Sequence, residues 1–289
     1  MSVDIITNYR NHLRPMAQST QQVYVAEFKQ FVEYFKGDDY RYISHDKIVE
    51  YLARLYDSGY SPSKVNQAIN AIKFYKEKVL GQKRQTYFLK RPRSKKFLPT
   101  ILPQQQMFDV VNSPRNIKHS TLLFTIYDNG LRISELINLK LHDVITRTDN
   151  PHIIIRDSKY NNTRTLYISE ECVTRLQNYY RQFKPQVYLF EGAVAGEPIS
   201  DTTVANVLKD ALRRNRVVKR FRVHDMRHNF ATHCLLNGTD IYQLSLFLGH
   251  KNVSTTQKYY AHLLPNQITI YRAQPAKEGR VVQMNLKVA

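Results

Sequence analysis

The chain is short of cysteine, of acidic residues and of long apolar runs, and each shortage excludes something. Only two cysteines occur in 289 residues, Cys172 and Cys234. Both fall in helically patterned segments, so neither a disulfide framework nor a cysteine-rich zinc module is available, and a reducing cytoplasm fits. No uncharged apolar stretch approaches the roughly 18 residues that a membrane-spanning helix needs. The N-terminal MSVDIITNYRNHLRP lacks a cationic start followed by an apolar core. The protein is therefore expected to be neither membrane-spanning nor exported by a recognisable signal.

Acid is scarce in a patterned way. Asp and Glu number 24 against 43 Lys and Arg, a formal charge of +19. A neutral substrate does not require that surplus, whereas a polyanion would exploit it by counterion release. Nucleic acid is the first partner to expect; a soluble basic protein, or one bound to an anionic membrane surface, would carry the same excess. No acidic residue lies between Glu77 and Asp109, and within that gap KRQTYFLKRPRSKKFLP, residues 83–99, holds seven Lys or Arg and two prolines. It reads as a basic interdomain linker, and the missing acid favours a strap along phosphates, with Lys90, Arg91, Arg93, Lys95 and Lys96 as contacts, over a solvated spacer.

What is present is mostly helical. Tyr24, Phe28, Phe31 and Phe35 recur at helical spacing up to Gly37, and Ile48, Leu52 and Leu55 repeat the pattern up to Gly59. A third helix starts at SPSK, with Val65, Ala68, Ile72, Tyr75 and Val79 inward and Asn66, Asn70 and Lys73 outward. Residues 1–82 thus form a small helical bundle, and its outward polar face offers candidate groove readers, although solvated polar faces are commoner. In 100–289, HSTLLFTIYDNG and LRISELINL read as helices, and HIIIR (152–156) and RTLYI (164–168) flank a polar turn as a β-hairpin. VYLF (187–190) is a further candidate strand. Helices return over Asp201–Arg214, His224–Leu236, Ile241–Leu248 and Ser254–His262. The fold class is mainly α with a small β-sheet, in two domains, with 42% apolar content filling two modest cores.

RVHDMRHNFATH (222–233) gathers His224, Arg227, His228 and His233, and QKYYAH follows at 257–262. His224 and His228 are four apart, as in a helical zinc motif, but Asp225 stands where that motif needs its Glu base and Arg227 would hold a positive charge between the ligands. Phosphate chemistry uses all of these residues. Arginine forks two phosphate oxygens, tyrosine can attack phosphorus and conserve the bond energy, histidine can donate or accept a proton, and lysine can protonate a departing alkoxide.

GLRISEL (130–136), Lys159 in the hairpin turn, HDMRH (224–228), LGH (248–250) and Tyr259, nine residues after that histidine, together resemble the tyrosine recombinase or phage integrase family, in the spacing of its Xer-like members. The resemblance covers nearly the whole chain. It implies a SAM-like helical core-binding domain and a catalytic domain that form a C-shaped clamp on double-stranded DNA. It also implies that Arg132 and Arg227 clamp the scissile phosphate, that His224 donates to a nonbridging oxygen, that His250 assists Tyr259, and that Lys159 protonates the leaving 5′ oxygen. Tyr259 would form a 3′-phosphotyrosyl link, and two strand exchanges would pass through a Holliday junction with no metal, ATP or other cofactor. Four protomers on two duplexes are implied, a monomer in free solution being compatible with this; the location would be cytoplasmic and nucleoid-associated.

Several residues carry bland alternatives. Arg132 could be a surface arginine paired with Glu135, which is read as structural and orienting an arginine. Arg164 is the substitute for Lys159. His228 reads as a buried support, His233 as ordinary, and His250 could merely cap a helix. Tyr260 would face about 100° further round a helix than Tyr259 and reads as support. The tail from about residue 263 is expected to dock on a neighbouring protomer or to fold back on its own domain. A type IB topoisomerase and a non-catalytic DNA-binding accessory of the same fold are the rival functions. The target site, and the choice among phage integration, transposon movement, inversion and chromosome-dimer resolution, stay open.

Overall fold

A computed structural model of the chain describes residues 4–83, 99–157 and 162–249. The chain divides into two compact units, Met1–Phe97 and Leu98–Ala289, each with its own core. The architecture is mainly helical with a small three-stranded sheet.

The first unit holds α1 (Ile5–Leu13), α2 (Gln18–Tyr34), α3 (His45–Asp57) and α4 (Pro62–Phe74), the last continuing into a π-helical turn at Tyr75–Val79. Ser44 and Ser61 cap α3 and α4 by accepting from the amides of Lys47 and Lys64, and Pro62 occupies a first-turn position where no amide is needed. Helix α1 lies outside the periodic segments recognised in the sequence, although Ile5 and Ile6 pack partly against the core and Tyr9 and Leu13 reach into it. Those two are fully buried. Tyr9 stacks on Phe28 at 4.1 Å and Phe28 meets Tyr75 at 4.6 Å, each such pair contributing about 0.5–1.5 kcal/mol beyond area burial. The Tyr9 hydroxyl donates to the Ala71 carbonyl at 3.0 Å, so the ring carries no unmet polar group into the core. Buried Lys76 donates to the carbonyls of Arg41 and Ile43 and ties the α2–α3 connection to the π turn; burial lowers its pKa.

The second unit contains α5 (Gln104–Asn112), α6 (Ile117–Asp128) and α7 (Ile133–Ile137). Strands β1 (Val144–Ile145), β2 (His152–Asp157) and β3 (Asn162–Tyr167) follow in antiparallel order β1-β2-β3. Then come α8 (Glu170–Phe183), α9 (Asp201–Arg214), α10 (Val223–Leu236) and α11 (Ile241–Leu248). Helix α6 is buried from Thr121 through Tyr127 and forms the centre of the unit. The hairpin expected from HIIIR and RTLYI is present, with Ile153 opposite Leu166 and Ile155 opposite Arg164. Ile153, Ile155 and Leu166 are buried while Thr163, Thr165 and Tyr167 are exposed, so Arg164 occupies a core-facing register position.

One expected strand is absent. VYLF makes only isolated bridges, Lys140 with Tyr188 and, just beyond it, Glu191 with Pro198. The reason is local: the Glu191 carboxylate accepts from the amides of Gln186 and Val187 at 2.8 and 2.7 Å and draws the segment into a turn. Among the described residues no helix is long and apolar enough to cross a membrane.

Candidate active site

The site is assembled where element ends meet. Helix α6 runs out at Gly130, whose φ is +55°; a Cβ there would meet Phe230 Cδ1 at 2.5 Å and Leu248 Cδ2 at 2.8 Å. Glycine is therefore required both by backbone conformation and by space. Two residues on, Arg132 sits at the N-cap of α7, and its amide donates to Glu135 Oε2 at 2.8 Å. Its guanidinium reaches Glu135 Oε1 at 2.7 Å.

Glu135 is the hub. Its side chain is 6% exposed. Besides Arg132 it accepts a bidentate pair from Arg164, Nη1 to Oε1 at 2.9 Å and Nη2 to Oε2 at 3.0 Å. Arg227 Nη1 stands 3.8 Å from Oε2. Burial works to raise the Glu135 pKa, but the bonds and charge of Arg164, then the Arg132 amide and the Arg227 charge, outweigh it and hold the carboxyl below its ordinary value.

Arg227, on α10, is 3% exposed. It donates Nη1 to the Gly130 carbonyl at 2.8 Å and Nη2 to the Leu248 carbonyl at 2.6 Å. Arg164 Nε donates to the Phe247 carbonyl at 3.1 Å. Two arginines thus satisfy the last carbonyls of α11, the end of the helix where the backbone dipole favours cations. The helix stops at Gly249, φ +67°, whose missing Cβ leaves room for the Arg164 side chain.

Helix α10 begins with a reciprocal arrangement like that of α7: Asp225 Oδ2 accepts from the Arg222 amide at 2.7 Å. Asp225 therefore serves the helix start. His224 is exposed, and its ring lies edge-on to that of half-buried His228, centroids 4.8 Å apart at 87°. Partial desolvation, with the charge of Arg227 and then of Arg132, lowers the His224 pKa, so the ring is neutral at pH 7. Desolvation, then His224, pushes His228 down to about 4.

The inner face of α10 anchors the segment that enters the unit. Asn229 accepts from the Leu102 amide at 2.7 Å and donates to the Thr100 carbonyl at 2.8 Å. His233, read as ordinary in the sequence, is buried and bridges Tyr127 and the Leu102 carbonyl at 2.7 and 2.9 Å. A carbonyl can only accept, so Nε2 of His233 carries the proton and Nδ1 accepts the tyrosine hydroxyl.

Arg132 and Arg227 are brought together around Glu135, and His224 lies within reach of the charge of both arginines. Lys159, His250, Tyr259 and Tyr260 lie outside the described residues, as do the linker positions Lys90, Arg91, Arg93, Lys95 and Lys96, the helix expected over Ser254–His262 and the tail. Arg164, the sequence alternative to Lys159, is not placed as a proton donor: its guanidinium is spent on Glu135 and Phe247. On α4, Asn70 is exposed and Lys73 half-buried, whereas Asn66 is half-buried with its side-chain oxygen enclosed and without a hydrogen-bond partner among the described residues. A basic feature the sequence reading missed lies between α1 and α2. There a cleft of about 700 Å³ is lined by Arg10, Arg14 and Lys29 with several amide side chains. None of those three cations pairs with an acid among the described residues. Arg10 and Arg14, four apart at the end of α1, were the available signal. Among the described residues no group of three or more His, Cys, Asp or Glu could hold a metal ion.

Two family models cover most of the chain: the phage integrase family matches residues 103–267, and the phage integrase N-terminal SAM-like domain matches residues 5–86. The chain belongs to the phage integrase family. Among the curated tyrosine recombinases it resembles, XerA of Pyrococcus horikoshii is 30% identical over 259 residues, covering 89% of this chain and 88% of the relative. XerC of Staphylococcus epidermidis is 30% identical over 246 residues, covering 79% and 81%. A crystal structure of the XerH site-specific recombinase bound to difH substrate in a pre-cleavage complex aligns with a TM-score of 0.68 at 18% identity. The alignment covers 85% of this chain and 78% of that one, a likeness of fold. As a member of that family the chain is a tyrosine recombinase, and the Arg132–Glu135–Arg227 cluster lies within the segment matched by the phage integrase family model.

Proposed function

We propose that this tyrosine recombinase cuts and rejoins double-stranded DNA at a specific site through a 3′-phosphotyrosyl intermediate on Tyr259. The observation that carries the reading is the pair of guanidiniums, Arg132 and Arg227, held by one buried carboxylate beside a neutral His224. A phosphodiester passing to a five-coordinate transition state gains negative charge, and cations already fixed at the site stabilise that charge without reorganising.

In this reading the Tyr259 oxygen bonds to phosphorus as the bond to the 5′ oxygen breaks. Arg132 and Arg227 hold the nonbridging oxygens, and neutral His224 donates to one of them. Lys159 gives its proton to the departing 5′ oxygen, and His250 assists the tyrosine. A 5′ hydroxyl of a partner duplex then attacks the phosphotyrosine and restores the diester, so no bond energy is lost. Residues 1–82 supply a DNA-binding domain, 83–99 a basic strap and 100–289 the catalytic domain with its tail; Asn66, Asn70 and Lys73 are candidate groove readers, and the α1–α2 cleft adds candidate backbone contacts. Four protomers on two duplexes, a Holliday junction, and action in the cytoplasm at the nucleoid complete the proposal, for a mobile element or a resident recombination system alike.

The test is covalent capture. The protein is mixed with fragmented genomic DNA of its host in excess EDTA and denatured, and protein-linked DNA is recovered and its ends sequenced. Tyr259→Phe and Tyr260→Phe variants run in parallel. Adducts that resist EDTA, disappear with Tyr259→Phe alone and map to one inverted-repeat site are expected; adducts that persist in Tyr259→Phe would refute the assignment. Relaxation of any supercoiled plasmid without a paired site would favour the topoisomerase.

A further inference from the structure

Arg164 breaks a local rule. Its register neighbours on the inward face of the hairpin are Ile153, Ile155 and Leu166, and a strand facing a core calls for an apolar residue there. A long cation at such a position must be held by specific partners, and Arg164 has three. Its fork takes both oxygens of Glu135 at 2.9 and 3.0 Å, its Nε takes the Phe247 carbonyl at 3.1 Å, and its aliphatic end and guanidinium pack over Gly249, where a Cβ would lie 3.0–3.1 Å away. The side chain is 16% exposed. Nε and both fork nitrogens are engaged by Phe247 and Glu135, so the residue acts through its neighbours.

The consequence lies in what Glu135 would otherwise do. Its Oε1 is shared between Arg132 and Arg164, and its Oε2 between Arg164, the Arg132 amide and the more distant Arg227. With Arg164 in place both carboxylate oxygens are engaged and fixed, and the charge of Glu135 is shared among three guanidiniums. Without it the whole negative charge falls on Arg132 and Arg227, and the C-terminal end of α11 loses one of its two cationic partners.

We propose that Arg164 is a positioning residue for DNA cleavage: it holds Glu135 between Arg132 and Arg227 and pins the end of α11, so that both arginines keep their placement toward the scissile phosphate. This rests on the reading of the site as a phosphodiester-cleaving centre.

The experiment uses the full chain, with Arg164→Lys, Glu135→Gln and the double variant, on a nicked duplex carrying the site recovered by covalent capture. Lysine keeps the charge and the apolar stem but cannot form the fork. The expected result for Arg164→Lys is a single-turnover rate of adduct formation lower by about tenfold to a hundredfold, as for a small misplacement of catalytic groups. Affinity for the uncleaved duplex should stay within about twofold, as it does when only transition-state contacts are lost. The double variant should be no slower than the slower single variant, since both act through one contact. Parental rates in Arg164→Lys, or rates and affinity that fall together, would overturn the proposal; so would losses that multiply in the double variant. A parent protein that forms no adduct on the captured duplex would instead sink the underlying reading, and this proposal with it.

Discussion

Replacing Glu135 by glutamine removes a negative charge while keeping nearly the same shape, and the structure allows its cost to be worked out. The carboxylate is 6% exposed and receives the Arg132 amide at 2.8 Å, the Arg132 guanidinium at 2.7 Å and the Arg164 fork at 2.9 and 3.0 Å. Glutamine retains one acceptor oxygen, but its amide group sets a donor against donors on the other side. Removing one member of a buried ion pair costs about 3–5 kcal/mol. Arg132 is 33% exposed and can rehydrate, whereas Arg227 at 3% cannot, so about 2–4 kcal/mol is expected. In calorimetry of the full chain the transition of the second unit should fall by roughly 5–15 °C. Acid provides a second check with a definite sign. The folded-state pKa of Glu135 is lowered, so its contribution is full above the ordinary carboxyl value and is lost as pH falls through the lowered folded value. The parent should therefore lose more stability than Glu135→Gln as pH drops below about 4, the unfolded-chain range for a glutamate. A loss under about 1 kcal/mol at pH 7, within the range of an exposed ion pair, together with parallel acid limbs, would refute the claim that this carboxylate organises the arginines.

Gly130→Ala places a methyl at φ +55° and 2.5 Å from the Phe230 ring, so a loss of about 2 kcal/mol or more is expected in thermal unfolding; a neutral variant would mean that the ring gives way freely. His228 is pushed down to about 4, so the unfolded chain takes up a proton at higher pH than the folded chain, and stability should decline as pH falls from about 6.5 towards 4. His228→Gln should flatten that decline in pH-dependent melting. Charge reversal at Arg10 and Arg14 together should reduce the slope of log affinity against log salt for duplex DNA by roughly 2; an unchanged slope would remove the α1–α2 cleft from the DNA interface.

Much of this was legible because the signals were local. Apolar residues at helical spacing marked α2, α3 and α4, SPSK marked the start of α4, and β-rich runs around a polar turn marked the hairpin. Helix α1 was missed although Ile5, Ile6, Tyr9 and Leu13 repeat at helical spacing, and α8 was read only as a helical segment around Cys172, without bounds, although Ser169 and the two glutamates after it are a helix start. VYLF misled because β-rich composition says nothing about a carboxylate a few residues on that folds the backbone into a turn. In the site, Arg227 stood out among the clustered histidines, Arg132 came from the GLRISEL motif of the family resemblance, and Glu135 was read as orienting one arginine. What no local pattern showed was the convergence: Arg164 and Glu135 are 29 positions apart, and Leu248 and Arg227 are 21. The trace Arg164 did leave was a cation at an inward position of an otherwise apolar strand face, a conflict between residue and pattern that marks sites doing more than packing.

That conflict also accounts for the charge of the centre. Three guanidiniums, of Arg132, Arg164 and Arg227, surround a single carboxylate, and the neighbouring histidines are neutral at pH 7. Among the described residues the three guanidiniums and the one carboxylate leave two positive charges in excess, those of Arg164 and Arg227 largely shielded from water. Leaving such charge buried without an anion is costly, and part of the cost is offset by the carbonyls of Gly130, Phe247 and Leu248, which lie at the ends of α6 and α11. Backbone oxygens at helix ends bring partial rather than full negative charge, so they fix the guanidinium planes without cancelling them. A phosphodiester carries one negative charge, and its five-coordinate transition state approaches two. A site with two positive charges in surplus is thus matched more closely to the transition state than to the substrate, which is the condition for catalysis rather than for binding alone. A second carboxylate in the cluster would stabilise the fold and remove that difference.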